Sequence, residues 1–347
     1  MPTDARSTWS DLIALLPSGT GAIGADVANF PVYVDLSALP AAFWSHVQAD
    51  GGDIRVTESD GVTRRATELV TINAGTSTGE LHFLAAGVSS TTDSVFRIYY
   101  GSGLLSQPAV ADTYGRNAVW ASYEAVFHLQ EDPAGAAPQM IDSTGNGHDL
   151  TTSGAMTTGD LVAAQIGDGL NMDGSNDEAH DLSPGVSITN VLTLQAWANI
   201  GNLSATGQPI GLYGPTGSDY RGLQVDASEH VIYYGENGSY QTVWDATART
   251  GAGWTMVHGV STSAATHELF VDGSSVGSRS QTWNGFAVTY LGVGAGRSSG
   301  TQSEPFLGAL DEVRIRLNAA SAMGIAAEYA NQSNPTTFFT VGAETPA

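Results

Sequence analysis

From Asn29 onward apolar and polar residues alternate in short runs. FPVYVDL, DIRVT, ELVTI, ELHFLAA and SVFRIYYG place Val, Ile, Tyr and Phe at strand spacing, the period of a sheet with one buried face. Between them DGGD, SDGVTR, NAGTSTG and VSSTTD carry the Gly, Asp, Asn and Ser that tight turns require. This predicts a small antiparallel β-sandwich over 28–102, and the small, polar GLLSQPAVADTYGRNA predicts a linker over 103–118.

A longer series opens at AVFHLQE and closes at LDEVRIRL. LNMDG, VLTLQAWANI, QPIGLYG, GLQVDA, HVIYYGE, WTMVHGVS, HELFVDG, SVGSRSQ and VTYLGVGA lie between, divided by turns rich in Gly, Asp and Asn. They predict a second, larger sandwich over 119–347, ending in a tail. SAMGIAAEYA, Ser321–Ala330, has apolar residues at helical spacing behind a capping Ser and is expected to cap that sandwich. Residues 1–27 read as an anchoring arm with at most a short helix at Trp9–Leu16. The expected class is all-β, two β-sandwich (jelly-roll) domains with one short C-terminal helix, and no fixed repeat suggests a solenoid or propeller.

Charge narrows the partners. The chain has 35 acidic residues against 12 basic ones, all Arg, for a net −23. Nucleic acid and anionic membranes would be repelled, whereas neutral polymers and cations would not. Part of this acidity needs no more explanation than solubility. With no Cys, neither disulfides nor thiolate metal sites hold the fold. No run reaches the ~18 apolar residues of a membrane span, and LIALL near the N-terminus is too short for a signal-peptide core.

Six blocks then carry a resemblance: AVFHLQED, DSTGNGHDL, LNMDGSNDEAHDL, LTLQAWANI, HELFVDGSSVGS and FLGALDEVRIRLNAAS. In this order, over about 119–335, they resemble LamG-type, concanavalin A-like sandwich domains. Residues 29–101, with NFPVYVDLSALPAAFW, GGDIRVTESDG and FRIYYG, resemble an uncharacterised β-sandwich module found before such domains. The resemblance implies relatives that bind glycans, adhere to surfaces, or build extracellular and virion structures. It also implies a structural Ca²⁺ site, carried here onto Asp142, Asn146 and Asp311. A Gly-rich turn can aim carbonyls at one cation while Asp142 adds charge, but the same residues are ordinary turn chemistry. The acids of Asp173–Asp181 could form a second cation site, but Asp173–Asn176 read better as a hairpin turn after the strand LNM, with the remaining acids solvated.

Catalytic patterns fare poorly. Asp311-Glu312 sends its two carboxylates to opposite faces of a strand, unlike the paired acids of glycosidases, and no Glu-x-Asp-x-x-Glu strand occurs. Gly273–Gly277 matches G-x-S-x-G but lies between strands, where no nucleophile elbow forms. Gly292, Gly294 and Gly296 are followed by no helix and make no dinucleotide loop. His128, His258 and His267 read as hydrogen-bonded structural residues.

Sugar binding needs aromatic platforms with polar partners. Tyr213, Tyr220, Tyr233, Tyr234, Tyr240 and Trp244 concentrate in the second domain with Asp219, Arg221 and Asn237, although each ring alone also suits packing. Trp197 and Trp254, in apolar strands, are expected in the core.

The resulting expectation is a non-enzymatic virion surface component, a tail fibre or head decoration of a tailed phage or similar virus, with an adhesive domain that binds a host-surface glycan. Residues 1–27 would join it to other virion proteins, as a homo-oligomer or part of a larger assembly. An exported cellular adhesin or lectin is the alternative; a glycoside hydrolase or polysaccharide lyase is less favoured.

Overall fold

The computed structural model describes residues 11–17, 23–153, 156–236, 238–298 and 300–342. Asn237 lies outside the described residues, as does most of the N-terminal arm. The chain forms two compact units: residues 1–121 with 326–347, and residues 122–325.

The first unit pairs a four-stranded sheet with a three-stranded one. In the three-stranded sheet Val27–Asp35 and Thr67–Asn73 flank Thr78–Val88. Asp11–Pro17 is a strand, where the sequence suggested at most a short helix. It pairs with Phe96–Tyr100 on one side and with Phe339–Val341 from the end of the chain on the other. Alternation puts Val32, Val34, Leu81 and Phe83 in a core with Ile98 and Tyr100, each large apolar side chain contributing ~1.5–3 kcal/mol.

Two expected boundaries shift. The 103–118 segment is fastened to the first unit: Gln107 donates to the Gly51 carbonyl at 2.6 Å and Arg55 to that of Ser106 at 2.8 Å. Buried polar groups need such partners, so this stretch is structure and not a linker. The helix forms at Ala322–Ser333, with the Ser321 hydroxyl accepting from Gly324 N. Its residues from Ala326 on belong to the first unit, where the Asn331 amide exchanges two hydrogen bonds with the Tyr33 backbone, at 2.7 and 2.9 Å. Its first turn stays with the second unit, where Ile325 and the preceding Ala320 pack on Val260 and Phe270, so only the start of the helix caps that sandwich. Short helices also occur at Ala41–His46, Arg116–Val119 and Pro335–Phe338.

The second unit is the larger sandwich. One sheet is built around Leu192–Ile200, flanked by Trp254–Ser263 and Leu307–Arg316. The facing seven-stranded sheet runs, edge to edge, through Tyr240–Ala248, His230–Glu236, Tyr220–Val225, Gly207–Tyr213, Tyr290–Val293, Ala179–Asp181 and Thr151–Thr152. Leu194, Ala196, Ala198 and Leu310 of the first sheet share a core with Leu212, Leu223, Tyr233 and Leu291 of the second. Trp197 is buried on the other face of its strand from Ala196 and Ala198, as the two-residue period dictates. Trp254, expected in the core, is only half-buried at the start of its strand.

Candidate functional site

The outer face of the seven-stranded sheet carries a row of glycines. Gly211 pairs directly with Gly222 on one side and Gly292 on the other. Two residues along each strand, and so on the same face, stand Tyr213, Tyr220 and Tyr290, themselves cross-strand neighbours. A Cβ on Gly211 would lie 2.7 Å from the Tyr213 ring, and one on Gly292 2.7 Å from the Tyr290 ring. Both rings therefore lie down over glycine. Tyr234, the register partner of Gly222, occupies the same level.

These rings floor an open cavity of about 1200 Å³. Tyr213, Tyr220, Tyr234, Tyr240 and Tyr290 line it together with Gln208, Gln224, Glu304 and Arg297, while the Gly214–Gly217 loop forms part of its rim. Asp219 holds that loop, accepting from the Thr216 hydroxyl at 2.6 Å. Neighbouring rings are tilted: centroids are 5.7 Å apart for Tyr220–Tyr234 and Tyr234–Tyr240, and 6.2 Å for Tyr220–Tyr240.

The phenol hydroxyls are tied back into the protein. Tyr213 and Tyr234 both donate to Gln208 Oε1 at 2.7 Å, Tyr240 donates to Gln224 Oε1, and Tyr290 donates to Glu178 at 2.8 Å. Gln208 and Gln224 in turn donate to one oxygen of Glu304, the latter at 2.9 Å. Glu304 sits at φ 50°, a left-handed conformation unfavourable for a residue with a side chain. Burial raises the pKa values of Tyr213, Tyr220, Tyr234, Tyr240 and Tyr290 above the usual phenol value, so all five stay neutral donors. Burial pushes the Glu178 carboxyl up, but hydrogen bonds from His180 and Tyr290 outweigh it and hold the group below the usual carboxylate range.

Of the residues expected from sequence, Tyr213, Tyr220, Tyr234 and Tyr240 come together here. Tyr233 and Arg221 do not. They face inward, because a two-residue period sends adjacent residues to opposite sides. The Tyr233 ring fills the space where a Cβ on Gly259 of the other sheet would meet it at 2.3 Å, and its hydroxyl lies 2.7 Å from that of Ser261. Arg221 is buried against the Trp283 ring, 4.7 Å from its centroid, and donates to the Asn284 carbonyl at 2.9 Å. Trp244 is exposed on the edge strand beside His230 and is not among the lining residues. Tyr290, Gln208, Gln224, Glu304 and Arg297 were not singled out from sequence.

Two of the three proposed calcium ligands, Asp142 and Asn146, are turned to hydrogen bonding in a way that does not fit a cation. The Asp142 carboxylate accepts from the backbone N–H groups of Val126, Thr144, Gly147 and His148 and from the Thr144 hydroxyl, at 2.7–3.1 Å. Five donors aimed at its two oxygens leave it the hub of a hydrogen-bonded turn. Asn146 donates its amide to the Glu124 carbonyl at 2.9 Å. Asp311 accepts from Ile166 N at 2.8 Å. Asp173 likewise closes a turn, accepting from Ser175 N at 2.7 Å.

Residues 173–326 match the model of the concanavalin A-like lectin/glucanases superfamily, so the second unit contains a concanavalin A-like domain. The Asp142 turn lies before the matched segment. No curated protein sequence matches the chain significantly. Among solved structures, the chain is similar to the botulinum neurotoxin serotype G binding domain, at 12% identity and TM-score 0.43, covering 60% of this chain and 50% of that one. It is also similar to the CBM40 of a Ruminococcus gnavus IT-sialidase, at 16% identity and TM-score 0.36, covering 41% and 84%. A heptameric SAP-like pentraxin from Limulus polyphemus matches at 12% identity and TM-score 0.37, covering 45% and 78%. The chain spans about half the length of the neurotoxin binding domains it matches.

Proposed function

We propose that this protein binds glycans without transforming them, through the tyrosine-floored cavity of its concanavalin A-like domain. The observation that carries the reading is the set of rings laid on a glycine row with their hydroxyls tied to Gln208, Gln224 and Glu178. Pyranose rings present apolar C–H faces that rest on aromatic faces, and a platform fixed before binding costs little ordering. At about 1200 Å³ the cavity exceeds the ~300–1,000 Å³ of a typical small-molecule cleft, which favours an oligosaccharide over a single sugar.

Binding is favoured over hydrolysis because Glu304 is the only carboxylate among the described lining residues; the neighbouring Glu236 is buried and does not line the cavity, and cleavage by paired acids requires two carboxylates facing the substrate. Such a module would serve a virion surface component and an exported adhesin alike. Screening the whole chain on a glycan array tests the reading. Retained saccharides are expected, with affinity falling ~10-fold or more when Tyr220 and Tyr240 are both changed to Ala. An array with no retained saccharide, or a double variant that binds like wild type, would overturn it.

A further inference from the structure

The cavity is chemically polarised. Arg297, the only basic residue among its described lining residues, already rests on Tyr290, 4.7 Å from the ring centroid. That contact shows the tyrosine wall accepting a cation on its π-face. Among the described residues, no basic side chain lines the cavity toward Tyr220, Tyr234 and Tyr240. Glu304 stands there with both amide donors, Gln208 and Gln224, on the same carboxylate oxygen. Its other oxygen has no hydrogen-bond partner among the described residues. Glu236, register partner of Tyr240 and hydrogen-bonded to Tyr220, adds a second acidic group beside the same rings. The Tyr220–Tyr240 end thus combines electron-rich ring faces and a carboxylate oxygen with capacity to accept, with no compensating base among the described lining residues, in a chain of net charge −23.

We propose, resting on the glycan-binding reading, that the cavity selects amino-bearing glycans and seats the protonated amine of a hexosamine at Glu304 among the rings of Tyr220, Tyr234 and Tyr240. An ammonium donates to the carboxylate while its charge is attracted to the ring faces, an attraction that strengthens as water is excluded. N-acetylation removes that charge. A uronic or sialic carboxylate would meet Glu304 and the negative field of the whole domain.

The test is calorimetric titration of the whole chain with matched β-1,4 oligomers of glucosamine and of N-acetylglucosamine, an oligogalacturonate, and choline chloride as a free cation. The glucosamine oligomer is expected to bind at least ~10-fold more tightly than its acetylated counterpart, the acidic oligomer most weakly, and choline only feebly. In Glu304→Gln, with its melting temperature unchanged, the advantage of the free amine is expected to collapse. Raising the pH until the sugar amine is deprotonated is expected to do the same in wild type. Equal or tighter binding of the acetylated or acidic oligomer, or a preference that survives Glu304→Gln, overturns the amine proposal while leaving glycan binding intact. Binding of choline with no saccharide bound overturns both.

Discussion

The phenolic oxygen of Tyr234 lies 2.6 Å from where a Cβ on Gly222 would be. That Cβ would also come within 2.3 Å of the Ile210 carbonyl oxygen, so backbone as well as side chain would have to move. Gly222→Ala is therefore expected to destabilise the domain by ~1–3 kcal/mol and to weaken saccharide binding by displacing Tyr234. Thermal melts alongside calorimetry check both; an alanine variant with wild-type affinity would show that the ring's position is unimportant.

Gln208 is the joint of the site. Its buried carbonyl oxygen receives two phenols while its amide reaches Glu304. Gln208→Ala leaves those donors without their acceptor, at an expected cost of ~1–3 kcal/mol, and weakens binding although Gln208 contributes no ring. Urea unfolding would measure the first effect and titration the second.

The interior of the sandwich predicts a pH dependence. Burial, reinforced by the nearby charge of Arg221, lowers the pKa of His267 from 6.5 to about 4. The ring is held neutral between the Ser261 hydroxyl at 2.8 Å and the Gln281 carbonyl at 2.7 Å. Between these two pKa values the unfolded chain binds a proton that the folded chain does not. This contribution to stability is complete above pH ~6.5 and is lost as the pH falls toward ~4, at up to ~1.4 kcal/mol per pH unit. His267→Gln is expected to flatten that part of the stability profile, whatever its effect at pH 7.

Asp142 organises four donors from its own turn and a fifth, the Val126 N–H, from the strand Ala125–Phe127. Asp142→Ala is expected to cost ~2–4 kcal/mol. Because the carboxylate is occupied by N–H and O–H groups, a chelator is expected to leave the wild-type melting temperature unchanged. A fall in that temperature on chelation would restore the cation.

Much of the larger sandwich was legible, because alternation reports directly which face of a strand is buried. Tyr233-Tyr234 marks where that legibility stopped. Adjacent tyrosines must face opposite ways, but which one faces out depends on Gly259 and Gly222 receiving their rings from other strands. One local signal went unused: G-L-Y at 211–213, Y-R-G at 220–222 and Y-L-G at 290–292 each set a Tyr two residues from a Gly, and the three strands prove to be neighbours. Gln208 and Glu304 left no such trace, since residues 96 positions apart in sequence meet only through the fold. The 103–118 segment misled for a related reason: its small polar residues are held through backbone carbonyls, which composition does not reveal.

The chain of contacts from Tyr240 through Gln224 and Glu304 to Gln208, Tyr213 and Tyr234 has a kinetic consequence. With wall and floor already stapled together, a ligand meets a surface that needs no rearrangement before it can dock. Encounter would then set the association rate, and differences in affinity among saccharides would be expressed in how long each stays.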